Sequence, residues 1–365
     1  MAFTYDEWMT AQGLPVHRGY YIEDLRTVDL EWWEERKVKA AFIQLHGMQG
    51  VVEGRIQEIP PGETLPPLRM AVDEMVYVLN GRGVASVWGD DSQPKKSFEW
   101  STRSLFLVPR NSSYQLSNMD GEHPVRLLHY NYLPIAMSAI PEPEFFFDNP
   151  YPSPTVLYAG DGEFYSEATA ISEKGERNFA GRERQVWSGN FFPDLGAWDK
   201  LVPFWGRGAG GHVVFIRTPG SEMTAHMSVF PAKTYKKGHR HGPGRVIVIP
   251  GGEGYSILWQ EGEEKIVIPW HEASCFVPPN RWFHQHFNLG ADAARYLALH
   301  PPEQFAGRSE RVEDRANDQI EYPDEDPWIR EKFESELDSR GLASEMVPQA
   351  YEDRDYEWDY EGSGG

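Results

Sequence analysis

Two stretches of the chain, DEMVYVLNGRGVASVW at residues 73–88 and GRVIVIPGGEGYSILW at residues 244–259, show the same β-rich unit twice. They align without a gap at a displacement of 171 residues, and in both a Gly-x-Gly is followed by a Trp. Around each stretch, short β-rich runs are broken by Gly, Pro, Asn and Asp at the spacing that is typical of an antiparallel sandwich or barrel. The sequence therefore predicts an internal duplication.

Composition limits the classes of partner. The chain has 365 residues, enough for two domains, and a net charge of -21, which would repel nucleic acid and anionic membranes. The single cysteine, Cys275, excludes an intrachain disulfide and favours a reducing compartment. Neither a signal peptide nor a transmembrane run is evident in the sequence. We expect a cytoplasmic homo-oligomer that binds a small molecule, without nucleic acid or membrane partners.

The pattern predicts five segments. Helical spacing in VDLEWWEERKVKAAFIQL (28–45) predicts a helical N-terminal arm. The last segment is acidic, contains one helix-like piece, DPWIREKFESELDSRG (326–341), and ends in a tail that we expect to be loosely held or draped over a partner. The predicted boundaries are 1–50 for the arm, 51–140 for the first barrel, 141–210 for a connector, 211–302 for the second barrel and 303–365 for the acidic C-terminal extension.

Histidines in the second unit suggest a metal site. His239 and His241 stand two positions apart in GHRHGPGRV (238–246), so a strand presents both imidazoles on one face. About forty residues later, PPNRWFHQHFN (278–288) adds His284 and His286 after a second apolar strand. On a continuing strand His286 shares the face of His284, where it is either a fourth ligand or proton shuttle, or a neighbouring or surface residue.

The two histidine blocks resemble the two motifs of the cupin superfamily. His239, His241 and Gly252 or Gly254 match the first motif, and His284 with Asn288 matches the second. The resemblance covers both β-rich units and implies an all-β fold of two tandem cupin (jelly-roll) barrels. It also implies a metal ion held by His239, His241 and His284.

The sequence departs from the cupin motif where most members carry a glutamate ligand. That position falls on Arg245 or Val246, neither of which can replace a carboxylate. Three neutral imidazoles leave the charge of a divalent ion uncompensated, so the site should favour an anionic, chelating ligand. If its guanidinium points inward, Arg245 can clamp a carboxylate in bidentate fashion; the alternative is that it points to solvent.

The first unit lacks these histidines. It keeps an acid, Glu74, at the position of Arg245, and we expect that carboxylate to pair with Arg69 or Arg82. One carboxylate is not a metal site, so the first barrel is predicted to bind no metal and to serve structure or dimerisation. The displacement sets Leu68 against His239, Met70 against His241, and Tyr114 or Gln115 against His284.

The three-histidine pattern and the tandem barrels are most similar to the gentisate and salicylate dioxygenases among the cupins. That resemblance implies Fe(II), dioxygen and a small anionic, hydroxylated aromatic substrate. From their positions in the sequence, we expect Arg245 and His286 to be the catalytic residues. One difference is that the family usually keeps its metal ligands in the first barrel. The alternatives are a lyase, isomerase or hydrolase that uses Mn, Zn or Ni as a Lewis acid, and a non-catalytic bicupin that binds a small molecule.

Overall fold

The structure is a computed structural model. It describes residues 3–48, 50–89, 93–147, 149–152, 157, 164–174, 183–307, 309 and 312–360. Over these residues the fold is all-β, with two tandem jelly-roll barrels, as the sequence predicts. The α-helices are α1 (Thr4–Ala11), α2 (Leu133–Ala139) and α3 (Pro327–Ser339). Short 3-10 helices lie at Pro143–Phe146, Glu303–Phe305, Val312–Asp318, Tyr322–Asp324 and Pro348–Tyr351.

Strands run through most of the chain. In the first third they are β1 (Val16–Gly19), β2 (Tyr21–Ile22), β3 (Glu31–Trp33), β4 (Val38–Leu45), β5 (Glu53–Ile59), β6 (Leu68–Arg69), β7 (Glu74–Asn80), β8 (Arg82–Trp88), β9 (Lys96–Ser101), β10 (Leu105–Val108), β11 (Ser113–Asn118) and β12 (Val125–Asn131). The remainder are β13 (Thr169–Lys174), β14 (Glu183–Ser188), β15 (Phe191–Phe192), β16 (Val202–Pro203), β17 (His212–Arg217), β18 (Thr224–Phe230), β19 (Gly238–His239), β20 (Val246–Gly251), β21 (Gly254–Trp259), β22 (Ile266–Trp270), β23 (Cys275–Phe276), β24 (Phe283–Asn288), β25 (Ala294–His300) and β26 (Gln319–Ile320).

Each barrel consists of a large sheet and a small sheet. Over the described residues, the first barrel has the large sheet β1-β4-β5-β12-β7-β10-β15, with β3 paired to β4, and the small sheet β6-β11-β8-β9. The second has the large sheet β13-β14-β17-β18-β25-β20-β23-β2, with β16 paired to β17, and the small sheet β22-β21-β24-β19-β26. Because β2 joins β23, the N-terminal segment ties the two barrels together.

The two large sheets share one apolar layer, and the alternation of side chains along each strand shows it. In β7, Met75 and Tyr77 belong to the cluster that also contains Val246 and Val248 of β20, whereas Val76 packs inside the first barrel. Successive side chains of a strand point to opposite faces, so every central strand carries one set of residues into its own barrel and one set into this shared layer. The barrels are thus joined by a continuous core.

The helix predicted within residues 28–45 is wrong. That stretch forms β3 and β4, and the helical part of the N-terminal arm is confined to α1. Strand β4 pairs with β1 on one side and β5 on the other, and most of its side chains are buried. A strand covered on both faces carries consecutive apolar residues, and this pattern cannot be told from a buried helix by spacing alone. The first barrel therefore takes strands from residues before 51.

The predicted connector and C-terminal extension also contribute to the barrels. In the 141–210 region, β15 pairs with β10 of the first barrel and β14 with β17 of the second. The predicted helix within 326–341 is confirmed as α3, and Asp326 caps it by accepting a hydrogen bond from the Trp328 amide. The described part of the tail is not loosely held, because Tyr356 and Trp358 pack against the same cluster as Phe333 of α3.

None of the helices in the described ranges is both long and apolar enough to cross a membrane.

Candidate metal centre

Three of the predicted residues meet at one point in the second barrel. In the small sheet, His239 of β19 lies directly opposite His284 of β24. The third histidine, His241, follows β19 on the same face. All three are buried, and one ligand nitrogen from each lies within 4.8 Å of the others. The pairing of two neighbouring strands therefore brings together side chains that are more than forty residues apart in sequence.

Backbone carbonyls orient the three rings. Nδ1 of His241 lies 2.7 Å from the Gly242 oxygen, Nδ1 of His284 lies 3.3 Å from the Trp282 oxygen, and Nδ1 of His239 lies 3.5 Å from the Lys237 oxygen. A carbonyl only accepts, so these contacts favour the tautomer with the proton on Nδ1, which leaves the lone pair on Nε2. Metal-binding histidines are commonly oriented in this way, and the donor set fits a divalent ion.

The electrostatic environment keeps these imidazoles neutral. Burial lowers the pKa of His239 and His241 well below the usual value, and it lowers the pKa of His284 to about 3. After burial, the largest effects on His239 and His241 are the positive charges of Arg207 and Arg245 respectively. Neutral imidazole is the form that binds a metal.

Arg245 lies one residue before β20, and the alternation of side chains along the strand places it on the face that points into the second barrel. Val246 packs in the layer between the barrels, whereas Ile247 packs inside the second barrel. Arg245, two residues before Ile247, shares the interior face and is half-buried. Its charge also lowers the pKa of His284. The structure thus favours the inward orientation that the sequence left open.

His286 lies beside this group but outside it. Its Nδ1 is 2.8 Å from the hydroxyl of Ser256, and its ring packs on Tyr296 with centroids 4.7 Å apart. Its ring centroid is 5.6 Å from that of His284 and 6.5 Å from that of His239. The described geometry therefore places His286 next to the three histidines without making it a fourth ligand.

Several polar residues of this interior were not predicted from the sequence to be functional. Lys236 is almost fully buried, and Arg207, although distant in sequence, acts on His239 and His286. On the large sheet, Nδ1 of His226 lies 2.8 Å from Nε2 of His300. The signal for Lys236 was available, because the displacement of 171 residues sets it against Leu65 of the first unit. Arg207 carried no such signal.

The first barrel has a different interior at the equivalent positions. Tyr114 lies opposite Leu68 there, just as His284 lies opposite His239, so Tyr114 and not Gln115 is the counterpart of His284. The predicted pairing of Glu74 with Arg69 or Arg82 is wrong, because Arg82 is exposed and Arg69 donates to the carbonyl of Tyr151. The side chains that contact Glu74 are Arg55, Tyr114, His129 and Asn131.

The C-terminal extension closes the sheet edge beside the three histidines. Gln319 of β26 pairs with His239, and the Asp318 carboxylate bridges Arg240 and Arg281. Both arginines are near neighbours of the histidines in sequence, and the Arg281 amide donates to the His241 carbonyl at 2.8 Å. The extension therefore holds in place the two segments that carry the histidines.

A cavity of about 420 Å³ lies where these segments meet the N-terminal segment. Pro243 and Trp282 in its wall are each two residues from one of the histidines, His241 and His284. Across the cavity, Tyr20 and His46 stack with ring centroids 4.3 Å apart. The volume is within the range of small-molecule sites.

No family model matches the chain, and neither does any curated protein. Solved structures do match. The oxalate decarboxylase of Lactobacillus farciminis, in a formate complex, is 12% identical over 79% of this chain and 86% of its own, with a TM-score of 0.49. A deletion mutant of the Bacillus subtilis oxalate decarboxylase is 10% identical over 79% and 77%, with a TM-score of 0.46. The 7S globulin of Momordica charantia is 11% identical over 77% and 83%, with a TM-score of 0.45. Similarity at this level has no bearing on the chemistry of the site.

Proposed function

We propose that this chain is a metal-dependent enzyme that acts on a small anionic substrate inside the second barrel. The observation that carries the proposal is the convergence of three neutral, oriented imidazoles near Arg207 and Arg245. His239, His241 and His284 would hold a divalent ion through Nε2, and none of the three offsets its charge. When bound, such an ion polarises a substrate oxygen as a Lewis acid.

Arg245 supplies the second contact in this proposal. A guanidinium binds a carboxylate through two parallel hydrogen bonds, which positions the substrate as well as attracting it. The arginine stands where the common cupin motif has a carboxylate ligand, so this chain replaces a group that would neutralise the metal with one that recruits an anion. The role of Arg245 is therefore substrate binding, and that of the three histidines is metal binding.

The choice of reaction class depends on the proton-transfer groups. The His226 and His300 pair lies on the large sheet, and the charge of His300 acts on His241 while that of His226 acts on His286. Histidines are the usual side chains for moving protons near neutral pH. We therefore favour a lyase, isomerase or hydrolase with Mn, Zn, Ni or Fe as a Lewis acid.

A second candidate is the Fe(II) dioxygenase acting on a hydroxylated aromatic acid. The observation that favours it is the ring-lined cavity of Tyr20, His46 and Trp282 beside the site, which would suit a planar substrate.

Metal analysis of anaerobically purified protein, followed by assays on a panel of small carboxylic acids, tests both. We expect one divalent ion per chain and turnover of a carboxylate without oxygen uptake. Oxygen consumption with a hydroxybenzoate would select the dioxygenase. A protein without bound metal, after incubation with each of these ions, would contradict both.

A further inference from the structure

The third histidine of the candidate metal centre lies outside the regular sheet. Strand β19 ends at His239, so His241 lies beyond it. Its carbonyl accepts a hydrogen bond from the Arg281 amide, and the next residue, Gly242, donates to the Ala306 carbonyl, both at 2.8 Å. Metal ligands need to be held within about 0.5 Å of the productive geometry, and this precision depends on the side chains that support them.

One carboxylate joins the two segments that carry the histidines. The Asp318 carboxylate accepts hydrogen bonds from Arg240 Nε at 3.2 Å and from the Arg281 guanidinium. Arg240 lies between two of the histidines, and Arg281 lies three residues before the third. The main chain strengthens the first contact, because the Arg240 amide donates to the Asp318 carbonyl at 2.9 Å. A single residue thus bridges both segments.

The surroundings fix this carboxylate in its charged form. Asp318, Arg240 and Arg281 are all partly buried. The Ser309 hydroxyl donates to Asp318 at 3.0 Å, and the Arg240 guanidinium lies 4.6 Å from the centre of the Phe283 ring, next to the third histidine in sequence. Burial raises the pKa of Asp318, but hydrogen bonds from Arg281 and Ser309 hold it below its ordinary value. The bridge is therefore ionic near neutral pH.

The first barrel forms the same turn without such a bridge. Its Asn111 amide donates to the Met70 carbonyl at 2.6 Å, which matches the bond that the His241 carbonyl accepts. The repeat sets Arg69 at the position of Arg240, and Arg69 donates to a main-chain carbonyl. The carboxylate bridge is therefore not needed to form the turn, and it is found in the barrel that brings the histidines together.

We propose that Asp318 is a positioning residue for the metal centre, which holds Arg240 and Arg281, and through them the histidines, at the separation that one ion requires. Asp318 is not itself among the residues that meet at the site. The inference rests on the proposed function, because it takes the three histidines as metal ligands. It goes further in giving the C-terminal extension a part in the metal centre in addition to covering the sheet.

Co(II) is the probe, because its visible absorption reports the geometry of its ligands as well as its presence. Its dissociation constant is measured on the full-length wild type and on Asp318→Asn, which keeps the size of the side chain and removes its charge. We expect the dissociation constant to rise about 10-fold and the absorption bands to change, since removing residues that support metal ligands typically has an effect of this order. Glu261→Gln, which removes the exposed partner of Arg240, is the matched control and should change neither.

Asp318→Glu keeps the charge and should recover part of the affinity. If Asp318→Asn does not fold, Arg281→Lys repeats the test, because it keeps the positive charge but loses the planar guanidinium. A contact that serves only the stability of the fold would lower the Tm alone. An unchanged dissociation constant and unchanged absorption bands in Asp318→Asn, with or without a lower Tm, would overturn the proposal.

Crystal structures of the metal-free wild type and of Asp318→Asn separate this proposal from the proposed function. We expect the distances among the Nε2 atoms of the three histidines to increase in the variant. If the wild type bound no Co(II), the proposed function would be contradicted. Wider spacing in the variant would still support the positioning role of Asp318, whereas unchanged spacing would overturn it.

Discussion

The two barrels use the same strand positions for opposite purposes. In the first, the buried Arg55 guanidinium lies between the carboxylates of Glu53 and Glu74, and Tyr114 and His129 complete the hydrogen bonds of Glu74. In the second, neutral imidazoles surround a point that can hold an exchangeable cation. A cation already matched by two carboxylates is structural, whereas one held by neutral ligands keeps its charge available for a substrate.

The strand register allows the two barrels to be compared residue by residue. Positions that are apolar or fully hydrogen-bonded in the first barrel carry basic side chains in the second, and the framework of strands does not change. The pairs are Leu65 and Lys236, Leu68 and His239, Met70 and His241, Tyr114 and His284, Leu116 and His286, and Glu74 and Arg245. The two barrels thus share a framework of strands and differ at a small number of interior positions.

The largest expected effect is the loss of metal from the second barrel. His284→Ala removes one of three protein ligands, so we expect metal content to fall from one ion per chain to none, with the fold retained. The matched change in the first barrel, Tyr114→Phe, should leave metal content unchanged. Elemental analysis of both purified variants decides this. Undiminished metal in His284→Ala, or two ions per wild-type chain, would break the comparison.

The next effect is on stability and is confined to the first barrel. Arg55→Met leaves two buried carboxylates without their cation, which should cost about 3–5 kcal/mol of unfolding free energy in denaturant titrations. Burial raises the pKa of Glu74, and Arg55 is the largest of the opposing effects that hold it well below the usual value, so this pKa should rise in the variant. Arg82→Met, at an exposed position, is the control and should change stability by less than about 0.5 kcal/mol. An equally small change in Arg55→Met would mean that the network is not structural.

Arg245 tests whether the second barrel recruits an anion. Arg245→Gln should keep the metal and weaken binding of a carboxylate substrate by about 1.5–3 kcal/mol, and Arg245→Lys should weaken it less. Arg245→Glu should instead tighten the metal and exclude the anion, because it supplies the missing cupin carboxylate. Metal analysis and substrate affinity are measured together. If all three variants bound the carboxylate substrate with the affinity of the wild type, the Arg245 guanidinium would not reach the substrate.

The smallest effect concerns the C-terminal extension, which covers the small sheet of the second barrel. Burial raises the pKa of Glu325 to about 7, although hydrogen bonds from Tyr235 and Gln285 oppose the shift; the charges of Arg330 and Asp326 act on it as well. The folded chain therefore keeps a proton on Glu325 that the unfolded chain releases near pH 4.5. The stabilisation that this proton provides is fully present below pH 4.5 and is lost as the pH rises through 7.

Between pH 5 and pH 8 the wild type should lose about 2 kcal/mol of stability relative to Glu325→Gln, which mimics the neutral acid. Urea unfolding at both pH values measures the difference. Glu334→Gln, on the exposed side of α3, is the control. Parallel pH profiles for the wild type and Glu325→Gln would show that Glu325 is ionised throughout this range.

Part of this protein could be predicted from the amino-acid sequence. The duplication, the all-β fold and α3 each follow from a local pattern or from the repeat, because strand alternation and helix caps are properties of neighbouring residues. The grouping of His239, His241 and His284 was implied by the resemblance of the two histidine blocks to the cupin motifs. The repeat also identified Glu74 as the counterpart of Arg245, although not its partners.

Tertiary structure alone decided the rest. The stretch 28–45 forms strands β3 and β4 because neighbouring elements bury both faces of β4. A strand that is buried on both faces shows no alternation of apolar and polar residues, so its sequence does not predict it. Arg55 is the partner of Glu74, and β26 pairs with β19, because packing joins segments that are distant in sequence. Arg207 acts on His239 and His284 for the same reason. Local patterns set most of the elements, whereas contacts among elements that are distant in sequence set the partners of the buried charges.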